Sequence, residues 1–113
     1  MGPFGRKRKH DGYMDAGAVK QTAVFAAAVE FARLETILPA PESAHAIFQA
    51  MEEARRCAET GEEKTILFGL TGTGYFDMKA YDAYNRGEMS DHVPTDEELE
   101  VGFASIPPLA GVP

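Results

Sequence analysis

Two short stretches of the sequence place polar side chains beside backbone that a ligand could approach. The first is Thr71-Gly72-Thr73-Gly74, directly after the apolar run TILFGL at 65–70. Because glycine-rich backbone is entropically costly, it indicates either a tight turn that needs positive φ or a ligand that comes close to the main chain. Open α/β sheets bind ligands beyond the carboxyl ends of their strands, which is where this turn lies. Its spelling is neither the G-x-G-x-x-G of dinucleotide sites nor a P-loop, so both interpretations stay open.

The second stretch, PAPESAHAI at 39–47, places Glu42 and His45 three residues apart on one face of a predicted helix. A carboxylate in a first helical turn also simply complements the helix dipole, and on this stretch alone that is the better interpretation. The other histidines, His10 and His92, are scattered, and Cys57 has no obvious partner. The sequence therefore predicts neither a metal site nor a Cys–His pair for nucleophilic catalysis.

Four helices and one strand are predicted to position these stretches. The first helix covers about 20–35, and prolines at 39 and 41 separate it from a second helix that begins near Glu42 or Ser43, with Ser43 as its N-cap. A third helix follows Asp77 as its cap, and Thr95 with Glu98 forms a capping box for a fourth. The predicted inward residues of the first three helices are Phe25, Ala28, Val29 and Ala32; Ile47, Ala50, Met51, Ala54 and Ala58; and Met78, Tyr81 and Tyr84.

The predicted strand at 65–70 has apolar side chains on both faces. A strand of this kind is typical of a mostly parallel sheet that is covered on both sides. It cannot satisfy its backbone hydrogen bonds alone, and the sequence contains no second strong strand signal. We therefore expect an α/β helix-helix-strand-helix segment that is incomplete by itself and that needs sheet neighbours from outside this sequence.

Composition narrows the class of protein. The 113 residues allow one domain at most, and no apolar run approaches the roughly 18 residues of a membrane span. The net charge is −7, although four of the 11 basic residues lie in one run, Arg6 to Lys9, so that the remainder repels nucleic acid. We interpret the run as a solvated tail or a gene-boundary artefact, with a nuclear or nucleic-acid-binding signal as the alternative. One cysteine and no apolar leader region favour a cytoplasmic protein without an internal disulfide.

Two motifs together resemble one enzyme family. LETILPAPESAHAI, followed after a helix by EEKTILFGLTGTGYFDMKAYDAY, is similar to the carboxyl-terminal part of the tryptophan synthase beta chain. The closest match is the second, stand-alone branch, with its patterns E-G-I-x-P-A-P-E-[ST]-A-H-A and F-N-L-S-G-H-G-x-x-D. The resemblance covers roughly 19–91 and implies a three-layer α/β domain of a fold-type II pyridoxal-phosphate enzyme.

The resemblance implies roles for individual residues. Thr71 matches a serine whose hydroxyl meets the pyridine nitrogen of pyridoxal phosphate, and Glu42 matches a carboxylate beside the cofactor. Gly72 and Gly74 match glycines that let the ring approach the backbone. The parent enzyme is a lyase of tryptophan biosynthesis that converts L-serine and indole to L-tryptophan and water. Its partners would be the rest of the beta chain or a companion subunit, a second beta chain and an alpha subunit, with no nucleic acid and no membrane.

The sequence also departs from the family. Four positions differ from the usual Gly, Asn, Ser and His or Arg, and they are Thr36, Gly69, Thr71 and Thr73. A side chain at position 36 is costly if the backbone there has positive φ. The family's Schiff-base lysine, phosphate loop, substrate-carboxylate loop and indole-activating glutamate precede the matching region, and three lysines of this sequence match no motif: Lys20, Lys64 and Lys79.

We therefore expect three parts and two alternative functions. Residues 1–18 form a poorly ordered basic segment, 19–92 the synthase-like segment, and 93–113 a short helix with a proline-rich tail. The first hypothesis is a fragment of the enzyme that contributes no catalytic residue of its own and is inactive alone. The alternative is a non-catalytic interaction domain derived from the same scaffold.

Overall fold

The structure, a computed structural model, describes residues 14–107, so most of the predicted N-terminal segment and the end of the predicted tail lie outside the described residues. Four α-helices form within this range: α1 at Gln21–Glu35, α2 at Pro41–Thr60, α3 at Met78–Asn85 and α4 at Asp96–Ala104. A 3-10 turn at Gly74–Asp77 leads into α3. None of these helices combines the length and the apolar character that crossing a membrane requires.

The core forms where α1 packs against α2 and where α3 packs against α1. Phe25 lies at its centre, with its ring 5.1 Å from that of Tyr81 in an edge-to-face contact and 6.0 Å from that of Tyr84 in a stacked one. Val24 and Ala28 of α1 pack with Ala44 of α2 in the same cluster. The prediction that Phe25 and Ala28 face inward is confirmed, and Tyr81 is buried as expected.

Helix α2 is covered only over its first half. Ile47 is buried, but Met51 is half-buried, and Ala54 and Ala58 are exposed, so the far half of the predicted apolar stripe has no cover among the described residues. The helix begins at Pro41, earlier than expected, because proline fits the first helical position. The predicted N-cap was wrong: Ala40 occupies that position without a side-chain bond.

The predicted strand at 65–70 does not form, and residues 14–107 contain no strand. Leu67 is 95% exposed, and Ile66 and Leu70 are exposed as well. Only Phe68 is held, by an edge-to-face contact with Phe31 at 6.1 Å. A strand exists through hydrogen bonds to a neighbour, and no described segment provides one. The described residues are thus helical, and the strand is not confirmed.

The helix caps follow the predictions in part. Thr95 and Glu98 form the expected capping box, in which the Thr95 N–H donates to Glu98 Oε2 at 2.8 Å and the Glu98 N–H donates to Thr95 Oγ1 at 3.3 Å. Asp77 makes no side-chain cap bond. Instead Thr73 accepts from the Tyr75 N–H at 3.3 Å and caps the 3-10 turn. Met78 is exposed, so its predicted inward orientation was wrong.

A long-range contact supplies the cap of α1. Lys20 at the N-cap position makes no side-chain bond. Asp91 accepts from the Thr22 N–H at 2.9 Å and from the Thr22 hydroxyl at 2.8 Å. The pKa of Asp91 lies below its ordinary value. The hydrogen bond from the Thr22 N–H is the largest cause, followed by the bond from the Thr22 hydroxyl, and the charge of Lys20 adds to both, while desolvation acts in the opposite direction. The carboxylate thereby ties the segment after α3 to the start of α1.

Candidate functional site

The two stretches that carried the chemical predictions lie against each other. The Ser43 hydroxyl donates to the Thr71 carbonyl oxygen at 2.8 Å, and the Thr71 N–H donates back to Ser43 Oγ at 3.0 Å. Three residues further on, the Gly74 N–H donates to the Leu38 carbonyl oxygen at 3.0 Å. The turn at 71–74 is therefore fixed onto the segment at 38–43 at both of its ends, by the Ser43 side chain at Thr71 and by a backbone hydrogen bond at Gly74.

Both glycines of this turn have a reason within the chain itself. Gly72 has a φ of +66°, which disfavours a side chain, although a Cβ there would be 3.5 Å from Ala40 Cβ, an ordinary contact. At Gly74 the limit is space, because a Cβ would lie 2.6 Å from the Pro39 carbonyl oxygen and 2.7 Å from Leu38 Cγ. The tight-turn interpretation thus accounts for both positions without a ligand.

Thr71 and Glu42 are exposed, whereas Ser43, which follows Glu42 in sequence, is buried. The Thr71 hydroxyl lies 3.3 Å from Ser43 Oγ. Glu42 belongs to the first turn of α2 and forms no hydrogen bond or ion pair with any described residue. The Nδ1 atom of His45 donates a hydrogen bond to the Pro41 carbonyl oxygen at 2.9 Å. Glu42 and His45 therefore do not pair across the helix face. The site therefore offers one neutral hydroxyl and one free carboxylate to a molecule that approaches from solvent.

Tyr81 supports the same segment from inside. Its hydroxyl donates to the Pro39 carbonyl oxygen at 2.5 Å. Burial, with a smaller contribution from the charge of Asp77, raises the pKa of Tyr81 to about 12, so the phenol stays protonated and remains a donor. The sequence predicted Tyr81 only as a core residue. The available signal was that a buried tyrosine hydroxyl needs a partner.

Thr36 lies just before the site and adopts a strained conformation. It is the C-cap residue of α1, with φ 60° and ψ 21°, and is the one non-glycine residue with positive φ among residues 14–107. Its N–H donates to the Ala32 carbonyl oxygen at 3.0 Å. The predicted condition for a costly side chain at this position is therefore met.

Within the described range, no three His, Cys, Asp or Glu residues are grouped closely enough to hold a metal ion.

Comparison with known proteins finds relatives that share the name tryptophan synthase beta chain. The chain is similar to the tryptophan synthase beta chain 2 of Aquifex aeolicus, with 66% identity over 80 residues, 71% of this chain and 18% of the relative. The tryptophan synthase beta chain 2 of Methanosarcina acetivorans is 54% identical over 87 residues, 77% of this chain and 20% of the relative. The tryptophan synthase beta chain of Pyrococcus horikoshii is 44% identical over 102 residues, 86% of this chain and 22% of the relative.

The chain thus spans about a fifth of the length of the curated relatives it matches. No protein-family model and no solved structure matches it.

Proposed function

Because this chain is homologous to a part of tryptophan synthase beta chains, we propose that it is the carboxyl-terminal segment of such an enzyme, dependent on pyridoxal phosphate. The complete enzyme would join L-serine and indole to give L-tryptophan and water. The segment alone would be inactive, because none of its residues matches the family's Schiff-base lysine or phosphate loop.

The observation that carries this proposal is the contact between the two motifs. Ser43 of the first motif and Thr71 of the second are 28 residues apart in sequence and are joined by two hydrogen bonds. A shared site requires its parts to meet, and a chance match of two short patterns would not bring them together. The 66% identity over 80 residues supports the same conclusion independently.

The residues at this contact fit the proposed cofactor. Bound pyridoxal phosphate supplies an electron sink for the bonds around the substrate's α-carbon. Thr71 would hold the pyridine nitrogen through its hydroxyl, because Thr71 is an exposed residue and its backbone is fixed by Ser43. A neutral hydroxyl at this position would leave that nitrogen unprotonated, which would favour replacement at the β-carbon over transamination. Glu42 would lie beside the cofactor as a free carboxylate, and Gly72 with Gly74 would let the ring approach the backbone.

The rest of a beta chain is the proposed partner of the uncovered apolar surface. That surface includes Leu67, Tyr75 and Phe76, which are 95%, 75% and 92% exposed. Exposed large apolar side chains are typical of the interfaces of permanent complexes, so a partner of that kind would cover them.

The proposed partner would also complete the α/β fold. Its strands would pair with residues 65–70, and the three-layer domain would then form across both polypeptides. We expect the completed enzyme to be cytoplasmic and homodimeric and to accept an alpha subunit, as the parent family does.

Complementation tests the proposal. The part of the Aquifex aeolicus relative that this chain does not match is co-expressed with this chain, and tryptophan formed from indole and L-serine is measured. We expect activity from the complex and none from either part alone. Within the complex, Thr71→Ser should retain activity and Thr71→Ala should lose most of it. Ser90, which is exposed, provides the neutral control Ser90→Ala.

Two outcomes would contradict the proposal. Tryptophan made by this chain alone would show that the segment does not depend on a partner. A stable complex without activity would instead favour the alternative, a non-catalytic interaction domain on the same scaffold.

A further inference from the structure

We propose that Ser43 is a positioning residue that fixes both the backbone and the hydroxyl of Thr71. Its relevance to cofactor binding rests on the proposed function, but the contact itself does not. The sequence predicted Ser43 as a helix cap, and the structure assigns its hydroxyl to another element.

Ser43 is buried, and its hydroxyl forms hydrogen bonds with the backbone of Thr71. Ser43 is 4% exposed and is the buried polar residue of the described core. Its hydroxyl donates to the Thr71 carbonyl oxygen at 2.8 Å and accepts from the Thr71 N–H at 3.0 Å. One side chain thus satisfies both backbone polar groups of Thr71, and no buried side-chain polar atom of the described residues is left without a partner.

The count of hydroxyl protons gives the contact a chemical consequence. A serine hydroxyl has one proton to donate, and the 2.8 Å contact directs that proton to the Thr71 carbonyl oxygen. Ser43 therefore does not donate to the Thr71 hydroxyl, which lies 3.3 Å from it. The proton of the Thr71 hydroxyl stays available, either for the remaining lone pair of Ser43 or for an acceptor that arrives from solvent. An unprotonated pyridine nitrogen is an acceptor of that kind.

The surrounding contacts leave Ser43 as the anchor of Thr71 itself. Gly74 binds the Leu38 carbonyl oxygen at the far end of the turn, and Tyr81 binds the Pro39 carbonyl oxygen beneath it. Both hold the frame of the site, but neither touches Thr71 through a hydrogen bond. Loss of the Ser43 hydroxyl should therefore loosen Thr71 while the frame stays in place.

Nuclear magnetic resonance on the 113-residue chain tests this proposal without any cofactor. In Ser43→Ala, the protection of the Thr71 amide against hydrogen exchange should fall about fivefold to tenfold, the change that loss of one net hydrogen bond produces. Three-bond couplings should show the Thr71 side chain changing from one χ1 rotamer to an average of several. The amide of Ile47 in α2 is the internal reference, and its protection should not change in Ser43→Ala. Ser90→Ala is the matched control, in which the protection and the rotamer of Thr71 should not change.

A second variant keeps the test decisive if Ser43→Ala destabilises α2. Ser43→Cys retains the shape of the side chain and weakens both hydrogen bonds, so Thr71 should again lose protection relative to Ile47. Unchanged protection and unchanged rotamers of Thr71 in both variants would overturn the proposal. Because no cofactor is needed, that failure would leave the proposed function standing, and a failed complementation assay would leave this result standing.

Discussion

Replacing Thr36 by glycine should stabilise the chain. Thr36 ends α1 in the left-handed region, at φ 60° and ψ 21°. A β-branched side chain is poorly suited to that region, whereas glycine adopts it freely. The N–H bond from residue 36 to the Ala32 carbonyl oxygen, 3.0 Å long, uses backbone atoms and should survive the substitution.

The magnitude follows from two opposing contributions. A non-glycine residue in the left-handed region costs about 1–2 kcal/mol. Glycine costs about 0.5–1 kcal/mol through the greater freedom of the unfolded chain. The net gain in the free energy of unfolding, taken from the middle of these ranges, is then about 0.5–1 kcal/mol, which corresponds to an increase in Tm of roughly 2–4 °C for a domain of this size.

Thermal unfolding followed by circular dichroism measures the effect. Thr60→Gly is the control at a position without positive φ, because Thr60 is the last residue of α2. It also removes the hydrogen bonds of the Thr60 hydroxyl to the Arg56 carbonyl oxygen at 3.0 Å and from the Glu62 N–H at 3.3 Å. Glycine there should lower the stability by at least about 0.5–1 kcal/mol, which is the cost in helix propensity alone. If Thr36→Gly lowers Tm as Thr60→Gly does, the strain assigned to Thr36 is wrong.

Three other substitutions test separate parts of the structure. Gly74→Ala places a methyl group 2.6 Å from a backbone carbonyl oxygen, and the required shift should lower the free energy of unfolding by about 1–3 kcal/mol in urea titrations; an unchanged midpoint would refute the close approach. The lowered pKa of Asp91 means that its bonds to Thr22 stabilise the fold above the ordinary value of 3.8 and are lost as pH falls through the lower value of the folded state. Asp91→Asn should therefore lower Tm at neutral pH and flatten its decline below pH 3.8, and parallel curves for both proteins would contradict this. Leu67→Ser should leave the isolated chain within about 0.5 kcal/mol of its original stability, because Leu67 is 95% exposed, and should weaken binding to the complementing segment in calorimetric titrations; an unchanged Kd would place Leu67 outside the interface.

The sequence alone determined the features that depend on neighbours within a few residues. The capping box of Thr95 and Glu98 spans three residues, and both of its hydrogen bonds form as predicted. The inward positions of Phe25 and Ala28 follow from helical periodicity. The two motifs, read together, identified the relatives that the comparison later found.

Only the tertiary structure decided the contacts between residues far apart in sequence. Serine is a residue type that commonly caps helices, but the hydroxyl of Ser43 donates instead to the carbonyl oxygen of Thr71, 28 residues later. The cap of α1 comes from Asp91, which is 69 residues from Thr22. The apolar run at 65–70 has the sequence pattern of a strand. A strand forms only when a neighbouring strand accepts and donates its backbone hydrogen bonds, and the described residues contain no such neighbour. Local sequence determines which secondary structure a segment favours. The hydrogen-bond partners that the folded chain brings to that segment determine which structure forms.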